Sequence, residues 1–181
     1  GNRNIPFSKH LYIEREDFKE EANRKFFRLT LGKEVRLKNA YIIKGESVVK
    51  DDSGMITEII CSYDPKSKSG SGSEESQRKV KGTLHWVSTA DALSIEVRSY
   101  DRLFQEEAPD QDKSVDFKTH LNPNSLSSLT GFAEPSLLTA KPGDRFQFQR
   151  LGYFVVDVDS TKEQLVFNKT VGLRDNWSKK T

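Results

Sequence analysis

Residues 35–43, with the sequence VRLKNAYII, decide the fold of this chain. The first four alternate between apolar and polar, which is typical of a β-strand because successive side chains of a strand point to opposite faces. Two further strand-like stretches follow at residues 47–50 and 56–63. Residues 51–54 between them (DDSG) have the composition of a hairpin turn. The sequence therefore predicts a strand that leads into a β-hairpin.

Strand signals continue in both directions from this hairpin. The further predicted strands are residues 11–14, 80–87, 93–100, 145–150, 153–159 and 165–171. Only residues 15–26 have a helical pattern, with Asp17 at the N-cap position. Because the strands are short and separated by turns, the pattern favours small barrels over a layered α/β sheet. The predicted fold class is all-β with few short helices.

Composition also favours small barrels. Of the 181 residues, 34% are hydrophobic and 31% are charged, which is apolar-poor for one thick core. Residues 66–78 are rich in serine, glycine and charge and contain no large apolar side chain, so they predict a flexible surface loop. Residues 105–114 are acidic and contain Pro109, which indicates a linker between structural units.

Positive charge is concentrated between residues 24 and 38, although the net charge of the chain is only +2. The only acid in this segment is Glu34. Arg36 and Lys38 are two apart on a predicted strand, so they are expected on the same face. Such a basic face is suited to contacting a nucleic-acid backbone, and the alternative is an ordinary solvated surface. The cations of the segment are Arg24, Lys25, Arg28, Lys33, Arg36 and Lys38.

Residues 145–150 (RFQFQR) form a second candidate surface. If they are a strand, the two phenylalanines face the core while Arg145, Gln147 and Gln149 face outward together. Glutamine offers a donor and an acceptor in one plane and arginine offers a rigid fork of donors, a combination that suits the edge of an unpaired base. The alternative is an amphipathic strand whose polar face contacts only water.

No catalytic constellation is recognisable. His10, His85 and His120 are scattered and lack metal-ligand spacing, and Cys61 lies among apolar strand residues, where we expect a buried thiol. No phosphate-binding loop is present, and no apolar run is long enough for a membrane span. We expect no catalysis, metal or cofactor in this chain, and a cytoplasmic location. Gly1 is expected to be a remnant of tag removal, with the natural start upstream.

Several strings in this chain closely resemble the anticodon-binding region of glutaminyl-tRNA synthetases. They occur in the family's order and cover nearly the whole chain. They are residues 20–23 (EEAN), 31–41 (LGKEVRLKNAY), 78–87 (RKVKGTLHWV), 100–104 (YDRLF), 131–137 (GFAEPSL), 146–154 (FQFQRLGYF) and 167–175 (FNKTVGLRD).

The resemblance implies two antiparallel β-barrels, a distal one at residues 19–110 and a discontinuous proximal one at residues 1–18 and 111–181. It also implies a class I synthetase whose catalytic domain lies upstream and uses ATP with magnesium to join glutamine to tRNA. The HIGH-like and KMSKS-like motifs of that domain do not occur in this chain, so the chain alone is expected to be inactive.

The resemblance further assigns roles to individual residues. Arg28 matches a contact to the third anticodon base, and Arg36 and Lys38 match basic residues around the first. Gln147 and Arg150 match residues around the middle base. At Lys38 the family often has arginine, and Gln149 replaces an acid of some relatives. The expected RNA-binding residues are Lys25, Arg28, Arg36, Lys38, Gln147, Gln149 and Arg150.

The partner implied by the resemblance is the anticodon loop and stem of tRNA(Gln), bound by a monomer with no DNA or membrane partner. One alternative within the family is the anticodon-binding region of a related glutamyl-tRNA synthetase, which shares the barrels. An alternative of a different class is a non-catalytic β-barrel module that binds other RNA or protein. The amino-acid pocket, encoded upstream of this chain, distinguishes the first alternative, and the second predicts no preference for the glutamine anticodon.

Overall fold

The computed structural model describes residues 3–173, and these separate into two compact units. Pro6–Ala90 is the first unit, and the described residues before Pro6 and from Asp91 onward are the second. Strands dominate both units and their sheets are open, so the all-β class is confirmed while closure into barrels stays a prediction. No helix among the described residues has the length and apolarity to cross a membrane.

The first unit contains six strands in a four-stranded sheet and a two-stranded sheet. The sheet order is β4-β3-β2-β5, with β2 and β5 parallel, and β1 pairs with β6. The strands are β1 (Leu11–Tyr12), β2 (Glu34–Leu37), β3 (Ile42–Lys50), β4 (Ile56–Asp64), β5 (Thr83–Leu84) and β6 (Val87–Ser88).

The stretch at residues 35–43 forms two strands separated by a turn. Val35 and Leu37 are buried, as the alternation predicts, but β2 ends at Leu37. The chain then reverses because Asn39 adopts a φ of 58°, a left-handed conformation that asparagine tolerates better than most residues. The amide of Leu37 donates to the Tyr41 carbonyl at 2.8 Å across this turn, so β3 begins antiparallel to β2.

The predicted hairpin between β3 and β4 is confirmed. The Asp51 carboxylate accepts hydrogen bonds from the amides of Ser53 and Met55, each at 2.9 Å. Gly54 has a φ of +81°, which a residue with a Cβ rarely adopts. The turn therefore depends on the DDSG composition seen in the sequence.

The second unit contains a five-stranded sheet in the order β8-β7-β11-β10-β9. Phe167 lies at its centre, packed with Ile95, Phe154, Val156 and Leu165. The strands β7 and β11 are parallel, and the other pairs are antiparallel. The strands are β7 (Leu93–Tyr100), β8 (Leu126–Ala133), β9 (Arg145–Phe148), β10 (Gly152–Val156) and β11 (Leu165–Val171).

The compact units divide the chain at different points from the predicted barrels. The predicted distal barrel ends at residue 110 and so includes β7, whereas the first compact unit ends at Ala90. The physical reason is pairing, because β7 is hydrogen-bonded to β8 on one side and β11 on the other.

The predicted helix at residues 15–26 is wrong. Only Arg15–Asp17 is helical, as one turn of 3-10 helix, and the chain then runs without regular structure. Asp17 does not cap a helix, because its carboxylate is fully buried in an ion pair and its carbonyl accepts the amide of Leu29 at 3.0 Å. These tertiary contacts outweigh the local helical pattern.

Candidate nucleic-acid interface

Arg28 is held by a buried carboxylate in the first unit. Its Nε lies 2.8 Å from Oδ1 of Asp17, whose side chain is 0% exposed, whereas the Arg28 side chain is 38% exposed. The pair satisfies a charge that would otherwise be costly to bury. One edge of the guanidinium is therefore committed to the fold, and the exposed remainder is available to an anionic or polar ligand.

Arg36 donates to four protein acceptors instead of facing solvent. Its Nη1 donates to the Ser67 carbonyl at 2.9 Å and to the Ser69 hydroxyl at 3.2 Å. Its Nη2 donates to the carbonyls of Ser76 at 2.9 Å and Arg78 at 3.2 Å. These four bonds use all four Nη hydrogens, so a bidentate contact of Arg36 with a base would have to break bonds within the protein.

These bonds also order the segment predicted to be a flexible loop. Residues Pro65–Ser67 form a 3-10 turn and Glu74–Gln77 form a short helix, α1. The Ser67 side chain is fully buried, and its hydroxyl accepts the amide of Ile42 at 2.8 Å. Composition indicated a loop without a core, but serine hydroxyls and one arginine replace apolar contacts here.

Lys25 and Lys38 are exposed, in contrast to Arg36. Neither ammonium has an ion-pair partner within residues 3–173. β2 ends at Leu37 and Lys38 lies in the following turn, although its amide still donates to the Leu84 carbonyl of β5 at 2.9 Å. The shared face of Arg36 and Lys38 stays a prediction. The Lys38 backbone is nevertheless fixed, since its carbonyl accepts the indole N–H of Trp86 at 2.9 Å.

In the second unit, Gln147 has the predicted orientation. Phe146 and Phe148, on either side of it in β9, pack against Phe167 with ring centroids 6.0 and 5.3 Å away. Gln147 is therefore on the opposite face of the sheet, where it is exposed and lies opposite Tyr153 of β10.

Gln149 and Arg150 are not on this strand face. The strand ends at Phe148, and residues 149–151 form the connection to β10. Arg150 has a φ of 69°, and the Leu151 amide donates to the Phe148 carbonyl at 3.0 Å. Both side chains are exposed at the tip of the hairpin, next to the end of the face that carries Gln147. The prediction of one continuous strand over residues 145–150 is wrong.

Tyr153 is a candidate that the site prediction missed. Its side chain is 45% exposed, and it is paired with Gln147 on one side and Val171 on the other. An exposed aromatic ring beside an amide can stack on a base while the amide contacts the base edge. The signal was present in the sequence, because Tyr153 alternates with the inward-facing Phe154.

The described residues offer little for bond-making chemistry. No group of three or more potential metal-binding side chains comes together in residues 3–173. The Cys61 side chain is exposed on the edge strand β4, which corrects the expectation of a buried thiol. Neighbouring atoms desolvate its sulfur, and together with the Glu46 carboxylate they raise the Cys61 pKa to about 11. The thiol is therefore protonated at neutral pH and a poor nucleophile.

Two family models match this chain, and both describe the anticodon-binding domain of class I tRNA synthetases (E and Q). One matches residues 1–64 and the other residues 83–157. This chain belongs to that family. The resemblance seen in the sequence is confirmed.

Curated relatives extend the match over almost the whole chain. A glutamine-tRNA ligase of Rhodopirellula baltica is 56% identical over 99% of this chain and 30% of its own length. Glutamine-tRNA ligases of Serratia proteamaculans and Photobacterium profundum are 53% and 54% identical, each over 99% of this chain and 32% of their own length. The chain thus spans about a third of the length of these relatives.

Proposed function

We propose that this chain binds the anticodon loop and stem of tRNA(Gln) and selects that tRNA by its anticodon bases. The observation that carries the proposal is the exposed pair of Gln147 and Tyr153 on neighbouring strands, in a chain that belongs to an anticodon-binding family. The names of the relatives, all glutamine-tRNA ligases, support the choice of tRNA(Gln).

The chemistry of an anticodon loop fits this surface. Its bases are unstacked and single-stranded, so their edges and faces are accessible. A glutamine amide can donate to and accept from one base edge, and a tyrosine ring can cover its face. A wrong base leaves a donor or acceptor unsatisfied, at a cost of about 1–3 kcal/mol. That cost supplies the discrimination between anticodons.

The basic residues of the first unit serve affinity in this proposal. Lys25 and Lys38 expose ammonium groups suited to phosphates, and Arg28 retains an exposed edge. Phosphate contacts weaken as salt is added, because binding releases counterions. Arg36 contributes indirectly, by holding the loop that follows β4.

For the whole protein, we propose a monomeric, cytoplasmic glutamine-tRNA ligase. Its upstream region would bind ATP with magnesium and join glutamine to the tRNA, while this chain supplies anticodon recognition. Support comes from the relatives, which are similar to this chain over only about a third of their own length. The related alternative is a glutamyl-tRNA synthetase, which the family description also covers.

The test is a titration of the 181-residue chain with three anticodon stem-loops at two salt concentrations. One carries the glutamine anticodon, one a changed middle base and one the glutamate anticodon. We expect the tightest binding to the first, about tenfold or more weaker binding to the second, and weaker binding of all three at higher salt. Equal affinity for the three loops would contradict anticodon recognition, and preference for the third would favour the glutamyl alternative.

A further inference from the structure

Four aromatic rings form a cluster in the first unit, outside the residues already assigned to RNA. The ring centroid of Phe7 lies 4.9 Å from Tyr41, 5.9 Å from Tyr63 and 5.4 Å from Trp86. The ring centroids of Tyr41 and Tyr63 are 5.3 Å apart, and the two rings are almost edge to face. We call these four residues the aromatic cluster.

The aromatic cluster is open to solvent on one side. Trp86 is buried, but the Tyr63 side chain is 53% exposed and that of Phe7 is 38% exposed. Contiguous exposed aromatic surface is uncommon on proteins without a partner, because leaving it in water forgoes the free energy of burial. The cluster therefore indicates a binding surface.

Two lysines lie beside the aromatic cluster. The Lys38 backbone contacts the cluster directly, because its carbonyl accepts the indole N–H of Trp86. For Lys68 the argument is one of backbone position, since residues 67–69 run beside residues 40–42. The Ser67 hydroxyl accepts the amide of Ile42, and the Ser69 hydroxyl donates to the Ala40 carbonyl, each at 2.8 Å. Lys68, the middle residue of 67–69, therefore lies beside Tyr41, the middle residue of 40–42.

Lys38 and Lys68 bring positive charge to backbone positions next to the aromatic cluster. Neither Lys38 nor Lys68 forms an ion pair in the part of the chain that the structure describes. Asp64 follows Tyr63 directly, but its carboxylate is paired with Arg78 at 3.1 Å. Exposed aromatic faces next to lysines without ion-pair partners suit a flat ring carried on an anionic backbone.

We propose that the aromatic cluster, with Lys38 and Lys68, is a stacking platform for one unpaired nucleotide of the bound RNA. A base lies on the exposed ring of Tyr63, and the two lysines contact the phosphates on either side of it. This inference rests on the proposed function and adds to it a contact that is independent of base identity. Stacking tolerates any base, because every base has a π-face.

The charge distinguishes this occupant from a protein segment. An apolar peptide would also cover the rings, but it would gain nothing from two unpaired ammonium groups. The positive surroundings favour a polyanion, and the size of the exposed surface, dominated by two rings, favours a single base.

The experiment measures the affinity of the glutamine anticodon stem-loop for the 181-residue chain and four variants. Tyr63→Ala removes the ring, Tyr63→Phe keeps it, and Phe7→Ala is a second removal in case the first variant is unstable. Tyr100→Ala is the matched control, because Tyr100 is 56% exposed but lies on β7 in the other unit. Urea unfolding of each variant verifies that it is folded.

We expect Tyr63→Ala to weaken binding roughly 5- to 100-fold, while Tyr63→Phe and Tyr100→Ala bind like the unaltered chain. Discrimination against the changed middle base is expected to be unchanged in Tyr63→Ala. Stem-loops with one abasic nucleotide at each loop position in turn identify the stacked base. At that position the abasic change and Tyr63→Ala are non-additive, since each removes the same contact.

The outcomes separate this inference from the function on which it rests. If folded Tyr63→Ala and Phe7→Ala bind the stem-loop as the unaltered chain does, the stacking platform is wrong and anticodon recognition stands. If the unaltered chain binds no stem-loop, both proposals are wrong. Lys68→Ala gives an independent check, because loss of one phosphate contact should reduce the slope of log affinity against log salt by about 0.7.

Discussion

The basic segment of the first unit and the β9–β10 hairpin of the second are both candidate RNA surfaces in the sequence. In the structure they differ. Arg28 and Arg36 are paired with protein groups, a buried carboxylate and four loop acceptors respectively. Gln147 stands exposed on a strand whose inward neighbours are core aromatics.

This difference shows that a cationic sequence pattern does not by itself give a cationic surface. An arginine has five donors, and nearby unsatisfied carbonyls compete with any ligand for them. A strand face is fixed more firmly, because the opposite side chains are held in the core. The comparison predicts that the arginines matter first for stability, and the hairpin glutamine for selectivity.

Arg28→Ala should have the largest effect on stability. The change leaves the Asp17 carboxylate buried without its cation, so we expect the free energy of unfolding to fall by about 2–4 kcal/mol. Urea denaturation measures this fall. Lys25→Ala is the control and should change stability by less than about 0.5 kcal/mol. If the two variants are equally stable, the Asp17 pair does not stabilise the fold and Arg28 is a free cation like Lys25.

Arg36→Ala should have a smaller effect that is concentrated in the loop after β4. Four hydrogen bonds are lost and three of their acceptors are backbone carbonyls, so we expect a loss of about 1–3 kcal/mol. Residues 65–78 should become accessible to proteases, which limited proteolysis would detect. Lys38→Ala should leave the loop resistant, and cleavage at the same rate in both variants would contradict the structural role of Arg36.

Gln147→Ala should leave stability unchanged and alter selectivity. We expect discrimination between the correct and the changed middle base to fall about tenfold, because the amide that distinguishes them is removed. Competitive binding of the two stem-loops measures the ratio. Gln77→Ala, an exposed glutamine of α1 in the other unit, should retain the full ratio. If Gln147→Ala keeps the same ratio of affinities for the two stem-loops, the hairpin does not recognise the middle base.

The smallest expected effect is on the acid stability of the second unit. There Arg98 is paired with the carboxylates of Asp157 and Asp159. The backbone amide of Asp159, the Asn168 side chain and the Arg98 charge hold the Asp157 pKa below its ordinary value. Asp157 therefore stabilises the fold above its unfolded-state pKa, and that contribution disappears as pH falls through the lower folded-state pKa. The difference in urea midpoint between Asp157→Asn and the unaltered chain should be constant around pH 7 and shrink as the pH falls below about 4. A difference that stays constant at acid pH would contradict the linkage.

Much of the fold was predictable because it depends on local patterns. Alternation located the β3–β4 hairpin and the inward aromatics of β9, and the turn sequence at residues 51–54 specified the connection. The failures have a common cause in long-range pairing. Asp17 becomes buried only when Arg28 folds back on it, and the Ser-rich loop becomes ordered only when Arg36 reaches its carbonyls. No local pattern contains those partners.

The parallel pairing of β7 with β11 also has a consequence for biosynthesis. The first unit ends at Ala90, so all of its strands have been synthesised before β7 is translated. One edge of β7 pairs with β8, but the other edge waits for β11, which ends at Val171, roughly 80 residues after β7 begins. Synthesis of that length takes about 4–16 s at ordinary elongation rates. During that interval a nascent chain exposes an unpaired strand edge containing Ile95 and Val97, where a neighbouring nascent chain on the same polysome can pair incorrectly.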